Sequence, residues 1–145
     1  MVIQEFENTI VFLDTAPLIY FIEGNSIYQS KLEKLFKLND EKYFQFQTST
    51  ITLLEVLVKP LKDGERKIVD KYTSILTNAE GIEIFDITIQ IAVKAGEIRA
   101  NYNVKTPDAL QLATAITHKA NYFLTNDLRL KNILEIKVLT ISELI

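Results

Sequence analysis

Four carboxylates in this chain stand where chemistry could be done: Asp14, Glu55, Asp108 and Asp127. Asp14 directly follows the apolar run Thr9-Ile10-Val11-Phe12-Leu13, and Asp127 follows Tyr122-Phe123-Leu124-Thr125-Asn126. Acids crowded into one place repel, and each raises the pKa of its neighbours. A divalent cation relieves that repulsion, and hard oxygen donors suit Mg2+ or Mn2+. Such an ion activates water and stabilises charge on a phosphate, so a cluster of this kind fits phosphodiester hydrolysis. Thr15, Thr125 and Asn126 sit beside the acids and would orient them or a metal-bound water. Arg99, Lys105, Arg129 and Lys131 flank the same segments and would meet phosphates.

Other chemistries fail for want of residues. The chain has no cysteine, which removes disulfides, thiolate metal sites and cysteine nucleophiles, and fits a reducing, cytoplasmic interior. His118 is the only histidine, so neither a histidine-based triad nor a zinc cluster can be built. There is no glycine-rich phosphate loop. A phosphotransfer domain with Asp14 as nucleophile would want a second acid two residues on, where Ala16 stands. No apolar run approaches the roughly 20 residues of a membrane span. The opening MVIQEFEN lacks the basic flank of a signal peptide.

The elements that must position these residues can be read from periodicity. Residues 9–13 form a β-branched apolar run like a strand buried on both faces. Further strands are expected at 43–47, 82–85 and 122–124, with a short edge strand at 137–139. Helical spacing is expected over 27–38, 65–76, 88–101 and 106–119, and two more helices should begin near Pro17 and just before Glu55. Strands alternating with helices predict an α/β fold, a sandwich around a mainly parallel sheet, and 145 residues suit one domain, 1–145.

In such a sheet, ligands bind at the carboxyl ends of the strands. Asp14 and Asp127 end strands. Glu55 lies early in a helix that follows one. Asp108 lies in the first turn of the helix that returns to the fourth strand. All four therefore belong to one edge. The pair of helices between the third and fourth strands leaves open which of them runs back.

Each acid also has a structural reading. Asp14-Thr15 would cap the helix near Pro17. Thr52-Leu53-Leu54-Glu55 fits a capping box. Asp108 follows Thr106-Pro107, a capping residue and a first-turn proline, where an acid meets the helix dipole. Asp127 would cap residues 128–131. Asp86 also ends a strand and reads as a cap before the helix near Thr88, so a strand-end acid alone is no ligand. His118, late in its helix, reads as half-exposed near the carbonyl end.

At this point four segments resemble a known family. IVFLDTAPLIYFIE resembles the first motif of PIN domains, in particular the VapC-like toxins. TSTITLLEVLVKP resembles the second, with Glu55 at the acidic position, TPDALQLATAI the third, with Asp108, and FLTND the fourth, with Asn126-Asp127. The resemblance implies a three-layer α/β/α fold and a Mg2+- or Mn2+-dependent endoribonuclease, often a toxin held by a protein antitoxin and commonly a homodimer. It implies that Asp14 and Asp108 bind metal directly and that Glu55 and Asp127 complete the acidic site. Many relatives carry another acid and an aromatic after the fourth motif, where this chain has Leu128-Arg129-Leu130.

The charge balance pulls the other way. A net charge of −3 gives no general attraction for RNA, so contact must come from a local basic patch or from metal. The competing reading is a non-catalytic RNA-binding or protein-interaction module on the same fold.

Overall fold

Short apolar strands and longer helices alternate along the chain, as the spacing predicts. The computed structural model describes residues 2–145. The strands are β1 (Ile10–Leu13), β2 (Gln45–Ser49), β3 (Ile82–Phe85), β4 (Tyr122–Thr125) and β5 (Lys137–Thr140). The helices are α1 (Thr15–Glu23), α2 (Gln29–Asp40), α3 (Thr50–Lys62), α4 (Arg66–Asn78), α5 (Ile89–Asn101) and α6 (Thr106–Thr117). Short 3-10 turns cover Ile3–Phe6, Leu128–Asn132 and Ile141–Glu143.

The sheet order is β3-β2-β1-β4-β5 and every pairing is parallel. Phe12 stands opposite Gln47 on one side and Phe123 on the other. Because side chains alternate across a strand, both faces must be covered. Val11, Leu13, Leu124 and Leu139 enter one core with residues of α1 to α4. Phe12, Phe123 and Val138 enter a second core with residues of α5 and α6. The outcome is the expected three-layer α/β/α sandwich.

Two local choices set the site. α1 begins the moment β1 ends, because Asp14 turns to an extended φ/ψ of −73°/170° and its carboxylate accepts a hydrogen bond from the Thr15 N–H. Of the two helices before β4, α6 is the one that returns the chain. Its first turn carries Asp108 beside Asp14, and its last residues feed β4, with His118 half-buried and stacked on Phe85 at 3.5 Å between ring centroids.

The expected β2 slides by two residues, from 43–47 to 45–49. Its sequence, QFQTS, has one apolar residue, Phe46, followed by the buried polar Gln47, Thr48 and Ser49, and this hides a central strand from a reading based on apolar runs. Helix ends shift by one or two residues elsewhere.

Candidate active site

The caps decide which acids are free for chemistry. α3 starts at Thr50 with Ser49 as its N-cap, whose hydroxyl accepts from the Ile51 N–H at 3.1 Å. The expected capping box over 52–55 is therefore not formed, and Glu55 lies in the second turn, released from any capping duty. Asp86 is not the cap of α5 either. Thr88 takes that place by accepting from Ile91, and Asp86 is exposed away from the other acids. Thr106 is the first residue of α6 rather than its cap.

A cavity of about 320 Å³ at the carboxyl edge of the sheet is lined by Asp14, Glu55, Asp108 and Asp127, together with Thr15 and Thr125. The four expected acids do share one edge. Asp14 is only 9% exposed. Its Oδ2 accepts the Thr125 hydroxyl at 2.8 Å. Its carboxyl is raised to about 6, with burial the largest cause. The hydrogen bonds from Thr125 and Thr15 pull it down, and the charges of Asp108 and Glu55 push it up again. Asp108, half-buried in the first turn of α6, is also raised, by burial first and then by Asp127 and Glu55, with Arg129 and Lys105 opposing. Glu55 is exposed and accepts the Thr15 hydroxyl at 2.7 Å.

Asp127 behaves differently. Its Oδ1 accepts both the backbone N–H and Nε of Arg129, at 2.9 and 3.0 Å, and its Oδ2 accepts Nη2 at 2.7 Å. These bonds hold its carboxyl below the ordinary range. It also caps the turn Leu128–Asn132, as expected.

Among the flanking residues, Thr15 and Thr125 orient acids. Asn126 does not reach Asp127 and donates instead to the Tyr20 hydroxyl at 3.2 Å. Lys131 is turned away, onto the Val138 carbonyl and Glu143. Arg99 is held by the Val104 carbonyl and the Thr106 hydroxyl.

A buried polar seam behind Asp14 escaped the sequence reading. Gln111 is 1% exposed. Its Nε2 donates to the Thr52 hydroxyl at 2.6 Å and reaches Asp14 Oδ1 at 3.5 Å, while Ser49 donates to its Oε1. Thr48 ties Thr52 to the Leu13 carbonyl. One cue was available: Gln111 lies three residues after Asp108, one helical turn on, facing the core among apolar neighbours.

Among the described residues, no group of three acids or histidines is drawn close enough to enclose a metal as it stands. The chemistry of the donors nevertheless fits one. Two carboxyls held above their ordinary range are paying for uncompensated negative charge, and a hard divalent cation is what removes that cost. Asp14 and Asp108 could hold it, with Glu55 beside them in the same cavity.

The model of the PIN domain matches residues 11–135. The chain belongs to the PIN-domain family. Its solved structural relatives agree with that fold. VapBC2 from Rickettsia felis, bound to a DNA fragment from its promoter, superposes with a TM-score of 0.73 at 20% identity, covering 90% of this PIN domain and 98% of that chain. A toxin–antitoxin complex from Klebsiella pneumoniae gives 0.68 at 26% identity, covering 90% and 97%. VapC20 from Mycobacterium tuberculosis, a sarcin-ricin loop cleaving toxin, gives 0.68 at 14% identity, covering 88% and 98%. No curated protein matches the chain by sequence. Among the described residues, no helix is long and apolar enough to cross a membrane.

Proposed function

We propose that this PIN domain, residues 1–145 acting as one unit, is a Mg2+- or Mn2+-dependent endoribonuclease and the toxin of a toxin–antitoxin pair. The observation that carries the reading is Asp14, a carboxylate buried at a strand end, raised to about 6 and sharing its cavity with three more acids. Burying a carboxylate without a cation is costly, and a fold tolerates that cost where function needs it. Asp14 and Asp108 would hold the metal, and Glu55 and Asp127 would complete the acidic site. The bound ion would supply an activated water and stabilise charge on the phosphate.

The chain's own residues do the positioning. Thr125 and the Thr15 N–H fix the two oxygens of Asp14, Gln111 braces it from behind, and the Thr15 hydroxyl holds Glu55. RNA as substrate is supported by the sarcin-ricin loop cleaving toxin among the structural relatives, and an antitoxin by the 26%-identical toxin–antitoxin complex. Leu54, Val58 and Leu61 give α3 an exposed apolar stripe at helical spacing, a surface suited to an antitoxin or a second copy.

The test is direct. Purified, folded protein loaded with Mn2+ should degrade RNA from a total cellular pool. EDTA and Asp14→Asn should each stop it. Intact RNA after incubation with metal-loaded wild type overturns the nuclease reading in favour of a non-catalytic module. Co-expression with the small protein of the adjacent reading frame, followed by sedimentation, checks the antitoxin and the homodimer.

A further inference from the structure

The fork between Asp127 and Arg129 occupies both carboxylate oxygens of Asp127. An exposed ion pair contributes little by itself, but a bidentate one fixes direction. Arg129 is 73% exposed on its side chain and Asp127 only 26%, so the acid is the fixed base and the guanidinium the presented end. A guanidinium has five N–H donors, and the fork engages only one face of it.

A second cavity, of about 230 Å³, lies on this side. It is ringed by the cations Arg99, Lys105 and Arg129 and shares Asp108 and Asp127 with the acidic cavity. Arg99 is itself braced by Val104 and Thr106. Three cations line this pocket against two carboxylates, one of them paired, which concentrates basic side chains in a chain of net charge −3. The turn Asp127-Leu128-Arg129 is also where the sequence departs from the PIN pattern.

We propose that this basic cavity is a phosphate subsite for an RNA strand, flanking the metal carboxylates, and that Asp127 aims Arg129 there instead of ligating the metal. The proposal rests on the nuclease reading for its substrate. Arg129 and Lys105 contact a phosphate next to the scissile one, and Asp127 is a positioning residue. The metal then depends on Asp14 and Asp108, with Glu55 in support, so Asp127 can be neutralised without losing it.

Two titrations on the full chain test this. In the first, Mn2+ is titrated calorimetrically into metal-stripped wild type, Asp14→Asn, Asp127→Asn and Arg129→Gln, with circular dichroism confirming the fold. Asp14→Asn should weaken Mn2+ by tenfold or more, the scale of a disturbed metal site, while Asp127→Asn and Arg129→Gln stay near wild type. In the second, a labelled mixed-sequence single-stranded RNA is titrated in EDTA across a KCl series. Arg129→Gln and Lys105→Gln should each weaken binding and reduce the slope of log affinity against log salt by about 0.7, the value for one phosphate contact on a single strand. A purely structural Arg129 would leave that slope unmoved. Loss of Mn2+ by Asp127→Asn in step with Asp14→Asn, or an unchanged slope in Arg129→Gln, overturns the subsite. Failure of wild type to cut RNA while both titrations behave as stated overturns the nuclease reading alone.

Discussion

The two ends of the sheet carry cavities of opposite character. At the amino end lies the larger, about 740 Å³, lined by Asn8, Asn39, Lys42, Tyr43, Gly81 and others. At the carboxyl end lies the acidic cavity, less than half that size. Several polar side chains at the amino end are committed to backbone. Asn39 donates to the Phe44 and Gly81 carbonyls at 3.1 and 2.8 Å, and the nearby Asn121 accepts from the Ile10 N–H at 2.8 Å. At the carboxyl end, side chains bond mostly to one another and leave carboxylates raised in pKa. A site is thus located by what its polar groups are committed to, and cavity size is a poor guide. Asparagines at one end hold the chain in place. Aspartates at the other hold charge in readiness.

The sharpest way to break this contrast is Asp14→Asn. RNA cleavage should fall on the order of a hundred- to a thousand-fold, the scale of removing a group that organises transition-state charge. The same change should stabilise the metal-free protein. A carboxyl raised from 3.8 to about 6 in the fold contributes its stability at low pH, and that contribution is lost as pH rises through about 6. Metal-free wild type should therefore trail Asp14→Asn by up to about 3 kcal/mol above pH 7 and match it below pH 4. Thermal melts of both proteins in EDTA at pH 4 and pH 8 read this out. A wild type that melts above Asp14→Asn at pH 8 sinks the claim of stored charge.

At the amino end the signs should reverse. A Cβ on Gly81 would meet Asn39 Oδ1 at 2.2 Å, against a side chain locked by two carbonyls. Gly81→Ala should cost about 2 to 3 kcal/mol in urea unfolding, with cleavage per folded molecule unchanged. Loss of activity without loss of stability would erase the distinction between the ends.

Two smaller effects sharpen it. Gln111→Ala should weaken Mn2+ about 10- to 100-fold, as the loss of outer support for a ligand does, measured by calorimetry. Thr15→Val removes one hydrogen bond to Glu55 and should cost cleavage only a few-fold, on the order of 1 kcal/mol. A larger loss there would promote Glu55 to a principal ligand.

The sequence reading found all five strands because β1, β4 and β5 carry runs of adjacent buried apolar residues and β3 alternates apolar residues with Glu83. It placed the four acids on one edge by the logic of parallel sheets alone. It gave Glu55 a capping box as its structural alternative because Thr52 stands three residues before it, and the real cap, Ser49, lies at the end of a polar strand whose limits were misread. The partnership of Gln111 with Thr52 and Asp14 was missed for a different reason, although the spacing of Gln111 from Asp108 offered a cue. These bonds join α6 to α3 and to the end of β1, and no local spacing encodes a partnership between residues so far apart in sequence. The pairing of Asp127 with Arg129 lay only two positions apart, yet the competing use of that arginine for phosphate was equally legible.

The bond from Thr125 to Asp14 spans 111 positions of chain. Its consequence belongs to synthesis. While the ribosome is still making residues before Thr125, β1 lacks its β4 neighbour and Asp14 lacks the hydroxyl that orients it. Every nascent fragment up to that point lacks the complete acidic cavity, which can form only when β4 docks beside β1. On the proposed function, cleavage therefore waits until Thr125 and the strand that carries it have been made.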